Sequence, residues 1–218
     1  MDEGTFLERR VELMKILIVG ATGRVGKILQ NQLAKASNYE VVGTSSHEVD
    51  GYLHLDLHAS VKDIVAKIEG FDVIYFVAGS RGKDLLQTDL NGAVKLMQAA
   101  ELTDVKRYIQ LSSAFALDQT MWNQGYLKDL TDYNIAKYFS DNWLINNTKL
   151  NYTILQPGAL LEKTGTGKIT TAQDQIASNP IEDVANVLAE LLHHDNTVNQ
   201  VIMMSSGDTP ISEALQKI

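Results

Sequence analysis

Short apolar runs alternate along this chain with longer stretches in which apolar residues recur every three or four positions. That rhythm predicts strands separated by amphipathic helices, as a parallel sheet with crossover connections requires. Ile16-Leu17-Ile18-Val19 is a continuous apolar run closed by Gly20, which reads as a strand buried on both faces. A helix is expected over 27–36, with Ile28, Leu29 and Leu33 on one side. Residues 40–44 predict a second strand, and 51–57 hold a third. Ser60 caps a helix whose apolar face is Val61, Ile64, Val65 and Ile68, and Gly70 ends it. A fourth strand is expected over 72–77, a long helix over 85–102, a strand over 107–111, a helix over 131–146 and a strand over 152–155. Pro157-Gly158 breaks the chain there; a last helix (181–193) and a last strand (201–204) follow. Six or seven strands in units of about 30 residues match a doubly wound parallel sheet ordered 3-2-1-4-5-6. The charged stretch 1–13 is expected to be a leader outside this single domain, which then spans 14–218.

Composition narrows the function classes. The net charge of −8, without a basic run, argues against a nucleic-acid partner held through phosphates. The chain contains no cysteine, which removes disulfides, thiol catalysis and cysteine-based zinc sites and suits a reducing, cytoplasmic setting. No apolar run reaches the roughly 18 residues needed to span a bilayer, so no membrane partner is expected. A monomer or homodimer fits equally well.

The chemistry begins at Gly20-Ala21-Thr22-Gly23-Arg24-Val25-Gly26, which follows one strand and opens a helix. In that setting Gly20 permits a tight turn, Gly23 lets the backbone approach a pyrophosphate, and Gly26 lets helix pack on strand. The helix start offers free N–H groups and a partial positive charge to phosphates. The motif therefore predicts an NAD(P) cofactor.

The spacing is G-x-x-G-x-x-G, and other motifs recur in order behind it: Asp56-Leu57, Ala78-Gly79, Asp89-Leu90-Asn91-Gly92, Leu111-Ser112-Ser113, Tyr133-Asn134-Ile135-Ala136-Lys137 and Gln156-Pro157-Gly158. Together they resemble the short-chain dehydrogenase/reductase superfamily in its extended and atypical branches, with NmrA-like regulators and flavin or biliverdin reductases as relatives. The resemblance implies a Rossmann-like α/β fold with a small C-terminal substrate cover. It also implies that Asp56-Leu57 meets adenine, that Ala78-Gly79 is the small turn after the fourth strand, and that Pro157-Gly158 covers the nicotinamide. Tyr133 would be the proton donor and acceptor, with Lys137 lowering its pKa and binding the ribose, and Ser113 would polarise a substrate carbonyl. One position departs from the pattern: Asp89 stands where the superfamily often has an asparagine that supports a proton relay.

The residues themselves leave alternatives. Tyr133 and Lys137 share a helix face because they lie four apart, an arrangement common on any helix. The end of the second strand has hydroxyls, Thr44 and Ser45, and no carboxylate for a ribose 2′-OH, which favours NADP over NAD. Arg24 either joins them on a 2′-phosphate or remains a solvated side chain. His54, Asp56 and His58 alternate, but Asp56 is better used at adenine, and no metal is expected. The glycines at 165 and 167 do not have P-loop spacing. Only 61 residues follow Pro157, enough for a cover over a small-molecule substrate and no larger lobe. Two functions follow: an oxidoreductase acting on a small carbonyl, quinone or flavin, or a redox sensor that binds dinucleotide without consuming it.

Overall fold

The computed structural model describes residues 13–172 and 175–218, so all of the expected leader except Leu13 lies outside the described residues. The chain runs β1 (Met14–Val19), α1 (Arg24–Leu33), β2 (Tyr39–Ser45), β3 (Leu53–His54), α2 (Val61–Ile68) and β4 (Val73–Phe76). A π-helical stretch, Leu85–Gly92, leads into α3 (Ala93–Glu101), then β5 (Arg107–Leu111), α4 (Thr131–Asn147) and β6 (Tyr152–Pro157). The remainder is β7 (Ala159–Leu161), β8 (Lys168–Thr170), β9 (Ser178–Pro180), α5 (Ile181–Glu190), β10 (Gln200–Ser206), β11 (Thr209–Pro210) and α6 (Ile211–Gln216).

The main sheet is ordered β11-β8-β10-β6-β5-β4-β1-β2-β3. Its first six strands have the expected 3-2-1-4-5-6 order. Beyond them β10 pairs parallel to β6, and the sheet ends in the short antiparallel β8 and β11. Sequence periodicity did not reveal these last strands, since two or three residues are too few for an alternation to register.

Both faces of the sheet are covered, and β1 shows how. Its side chains alternate, so Ile16 and Ile18 pack with Leu29 and Leu33 of α1 and Val184 and Leu188 of α5. Leu17 and Val19 point the other way, against Ile64 and Ile68 of α2, Leu96 of α3 and Leu144 of α4. Each such buried side chain contributes about 1.5–3 kcal/mol relative to exposure. The same two-sided burial makes the run at 16–19 apolar without interruption.

Three of the departures from the expected boundaries have a clear local reason. Helix α1 starts at Arg24 rather than 27, because Gly23 is its N-cap and the glycine turn runs directly into the helix. The third strand shrinks to Leu53–His54; past Leu55 the chain turns, with the Asp56 carboxylate accepting the His58 N–H at 2.8 Å. The helix expected over 85–102 divides into the wide turns of Leu85–Gly92 and the regular α3. Such wide turns are rare and concentrate at functional sites. Here they accompany the burial of Asp89.

Candidate functional site

Strand order reverses between β1 and β4, because the chain leaves β1 for β2 on one side and returns to β4 on the other. In open α/β sheets the crevice for ligands lies at that reversal, beyond the carboxyl ends of the strands. The glycine turn occupies it. The Val77 N–H still bonds the Val19 carbonyl at 2.9 Å, so β1 and β4 stay paired up to the turn. Gly20 then takes φ +95°, and a Cβ there would stand 2.6 Å from the Ala78 backbone. A Cβ on Gly26 would stand 2.3 Å from the Gly20 carbonyl oxygen. Both contacts are with main chain, so the turn, Ala78 and the first turn of α1 form one close-packed unit that admits no side chain at residue 20 or 26. No side chain caps α1 at Gly23, and its first regular bond is Lys27 N–H to the Gly23 carbonyl. The amides of Arg24, Val25 and Gly26 are thereby directed into the crevice.

The expected site residues gather on the two sides of this turn. Toward β2 and β3, Thr44 and Ser45 are buried at the strand end, Asp56 is exposed and Leu57 is buried. Thr22 is exposed at the crest of the turn. Arg24 meets Glu162, which follows β7, at 3.3 Å, tying the glycine turn to the cover. Toward β4, β5 and β6, pairing continues past the strand ends through Ser112 N–H to Leu155 O and Ala114 N–H to Pro157 O, both 2.8 Å. This sets Ser113, buried, beside Pro157-Gly158. Gly79 lies on the turn after β4.

Tyr133 and Lys137 project from α4 into the same region. Lys137 is buried, donates to the Leu111 carbonyl at 3.2 Å, and has its Nζ 5.7 Å from the ring centres of both Tyr133 and Phe76. Burial pushes the Lys137 ammonium below its usual range, while Asp89 and Asp141 pull it back up. The half-buried Tyr133 phenol is pushed well above its usual value, first by burial and then by Asp89 and Asp141. In the bare chain burial is the first cause of that rise, and the two carboxylates add to it. Among the described residues no hydrogen bond joins Ser113 to Tyr133.

Sequence reasoning missed the floor of the site. The buried Asp141 carboxylate accepts from Ser112 Oγ at 2.6 Å, Gln110 Nε2 at 2.7 Å and Gln156 Nε2 at 3.0 Å. Burial raises its pKa, and Ser112 foremost, then Lys137, Gln156 and Gln110, oppose that. A signal for Asp141 was present, since Tyr133, Lys137 and Asp141 recur every four residues on one face of α4. Asp89 is buried within the π-helical turns, where its Oδ2 accepts the Ser80 N–H at 2.9 Å. The mouth beyond Ser113 is aromatic. Phe115 adopts φ +57°, an uncommon conformation for a bulky residue, and its carbonyl accepts the Trp122 indole N–H at 3.0 Å. Tyr126 lies beside Tyr133 and the Ala159 backbone.

Other sequence signals resolve simply. His58 bonds Asp84 at 2.6 Å, and no group of three or more metal-ligating residues occurs among the described residues. The amides of Gly165, Thr166 and Gly167 are taken by the carboxylates of Glu182 and Asp183, so this loop is clasped to the start of α5 and has no free phosphate cradle. A hollow of about 360 Å³ lies at the opposite end of the sheet, beside Tyr39 and His193, away from all of these groups. No helix among the described residues is long and apolar enough to cross a membrane.

Comparison with known proteins agrees with the geometry. Residues 20–195 match the NAD(P)H-binding family. The crystal structure of the oxidoreductase ylbE from Lactococcus lactis is 42% identical, with a TM-score of 0.89 over 94% of this chain and 96% of that one. YhfK of Bacillus subtilis, described as an uncharacterized sugar epimerase, is 32% identical over 94% of this chain and its own full length. The Saccharomyces cerevisiae protein YMR090W is 34% identical over 94% of this chain and 99% of its own.

Proposed function

The chain belongs to the NAD(P)H-binding family, and from that premise we propose an NAD(P)H-dependent oxidoreductase of the atypical short-chain type, acting on a small carbonyl, quinone or flavin. One observation carries the reading. The uncapped start of α1, behind a turn with no room for a Cβ at Gly20 or Gly26, and a buried lysine beside a tyrosine lie at the same end of the sheet. Those residues fit a dinucleotide: free amides for its phosphates on one side, and a buried ammonium for ribose hydroxyls on the other.

A reduced nicotinamide, when bound, supplies the hydride. The chain does the rest. Gly20, Thr22, Gly23, Arg24, Val25 and Gly26 seat the phosphates, Thr44, Ser45, Asp56 and Leu57 enclose the adenosine half, and Ala78, Gly79, Lys137, Pro157 and Gly158 border the nicotinamide half. Tyr133, whose phenol stays protonated at neutral pH, donates the proton that an acceptor oxygen takes up on reduction. Ser113 orients that oxygen by a hydrogen bond. Among the described residues the segment between β6 and α5 has only short strands, β7, β8 and β9, which suits a small acceptor; tight binding of a nucleotide sugar would contradict it.

NADP is preferred over NAD in this reading. Among the described residues Arg24 is held by an exposed ion pair with Glu162, of a kind worth about 0–1 kcal/mol, so a 2′-phosphate can replace that partner. A charge-assisted hydrogen bond of about 1.5–3 kcal/mol gives NADPH an affinity about tenfold or more above that of NADH. The second reading, a dinucleotide sensor, draws support from the raised Tyr133 pKa, because a phenol so held resists deprotonation. Following NADPH absorbance against a panel of quinones, aldehydes and flavins separates the two. Oxidation with at least one acceptor class is expected; NADPH bound but consumed by none supports the sensor, and tighter NADH binding overturns the NADP preference.

A further inference from the structure

At formal charge the buried groups around the nicotinamide half of the crevice do not cancel, because one ammonium, Lys137, faces two carboxylates, Asp141 and Asp89. Asp141 accepts three hydrogen bonds, and the less satisfied carboxylate is Asp89. It is 0% exposed, its Oδ2 accepts the Ser80 N–H, and its Oδ1 is buried with no hydrogen-bond partner among the described residues. That oxygen lies against the turn after β4, where a Cβ on Gly79 would stand 3.3 Å from it. The cations of the same loop, Arg81 and Lys83, are exposed and screened by water.

A buried carboxylate oxygen without a donor is costly, and such atoms are rare unless something absent from the bare chain completes them. Water or a ribose hydroxyl would satisfy the oxygen but leave the surplus negative charge in place. A positive charge answers both needs. Of the two forms of a nicotinamide ring, the oxidised one is cationic and the reduced one is neutral.

Building on the dinucleotide reading above, we propose that Asp89 is the counter-charge for oxidised nicotinamide, so the site binds the oxidised cofactor preferentially and makes the bound reduced form a stronger hydride donor than it is in water. An asparagine at this position would keep the Ser80 contact and lose the charge. The aspartate thus sets the redox preference of the site. Its role is positioning and electrostatic; no proton transfer is assigned to it.

The test is a comparison of dissociation constants for NADP⁺ and NADPH, by calorimetry, in the unaltered chain and in Asp89→Asn. The substitution is expected to weaken NADP⁺ about tenfold while NADPH changes less than about threefold; a tenfold change in that ratio moves the bound couple by about 30 mV. Equal losses for both forms, or no change in either, overturn the proposal. If Asp89→Asn does not fold, the unaltered chain still decides: NADP⁺ should bind at least as tightly as NADPH, and a tenfold preference for NADPH contradicts the inference. Failure of the unaltered chain to bind either form is a separate outcome, which removes the dinucleotide reading and this proposal with it.

Discussion

Gly20→Ala should lower nucleotide affinity by at least about a hundredfold and destabilise the fold by about 2–4 kcal/mol, the scale of severe single substitutions. Two causes act together. The residue sits at φ +95°, which L side chains rarely adopt, and its new methyl would meet the Ala78 Cα and N at 2.6 Å and the Val77 carbonyl carbon at 2.9 Å. These are main-chain atoms of the strand end paired with β1, so no rotamer change relieves the contact. The turn must lift, and the amides at the start of α1 move with it. Gly70 is the natural control. It shares a positive φ of +85°, but nothing lies within 4 Å of its would-be Cβ. Gly70→Ala should therefore cost about 1 kcal/mol in backbone strain and leave nucleotide binding unchanged. Thermal unfolding and calorimetric titration of the two variants check both statements, and equal losses of affinity would show that steric fit at residue 20 is not what matters.

Tyr133→Phe should reduce turnover of any accepted substrate by about 10²–10⁴-fold, the range for a lost general acid, while cofactor affinity stays within about threefold. The substitution removes one oxygen from a half-buried ring and leaves Lys137 bonded to the Leu111 carbonyl. The pH dependence follows from the direction of the shift. Burial, Asp89 and Asp141 all favour the protonated phenol, so Tyr133 remains a competent acid through neutral pH and well beyond. Reduction should show no basic limb from this group below about pH 10, the ordinary phenol value. A rate falling through pH 7–8, lost in Tyr133→Phe, would mean that the phenol is poised low and that its surroundings change on binding. Turnover unaffected by the substitution would assign the proton to another donor.

The parts of this molecule legible in its sequence are those with local causes. β1 is an unbroken apolar run because it is covered on both faces, and 107–111 was bounded correctly because polar residues flank it. The glycine turn was readable because its spacing answers a steric demand a few residues away, at Gly20 and Gly26. What stayed hidden depends on partners far along the chain. Gln110 and Gln156 are polar residues in buried strands, and only their shared partner Asp141, 31 and 15 residues distant, explains them. The wide turns at Leu85–Gly92 leave a helical pattern in the sequence that does not distinguish them from a regular helix, so the burial of Asp89 could not be foreseen. The rise in the Tyr133 pKa has the same origin, since its first cause is burial, which only the packed fold produces.

The central claim is that the turn at residues 20–26 seats a dinucleotide at the head of α1. Calorimetric titration of the unaltered chain with NADPH addresses it directly. Saturable binding of one nucleotide per chain, with a dissociation constant of about micromolar order, is the predicted result; no detectable heat from NADPH or NADH into the millimolar range would contradict it.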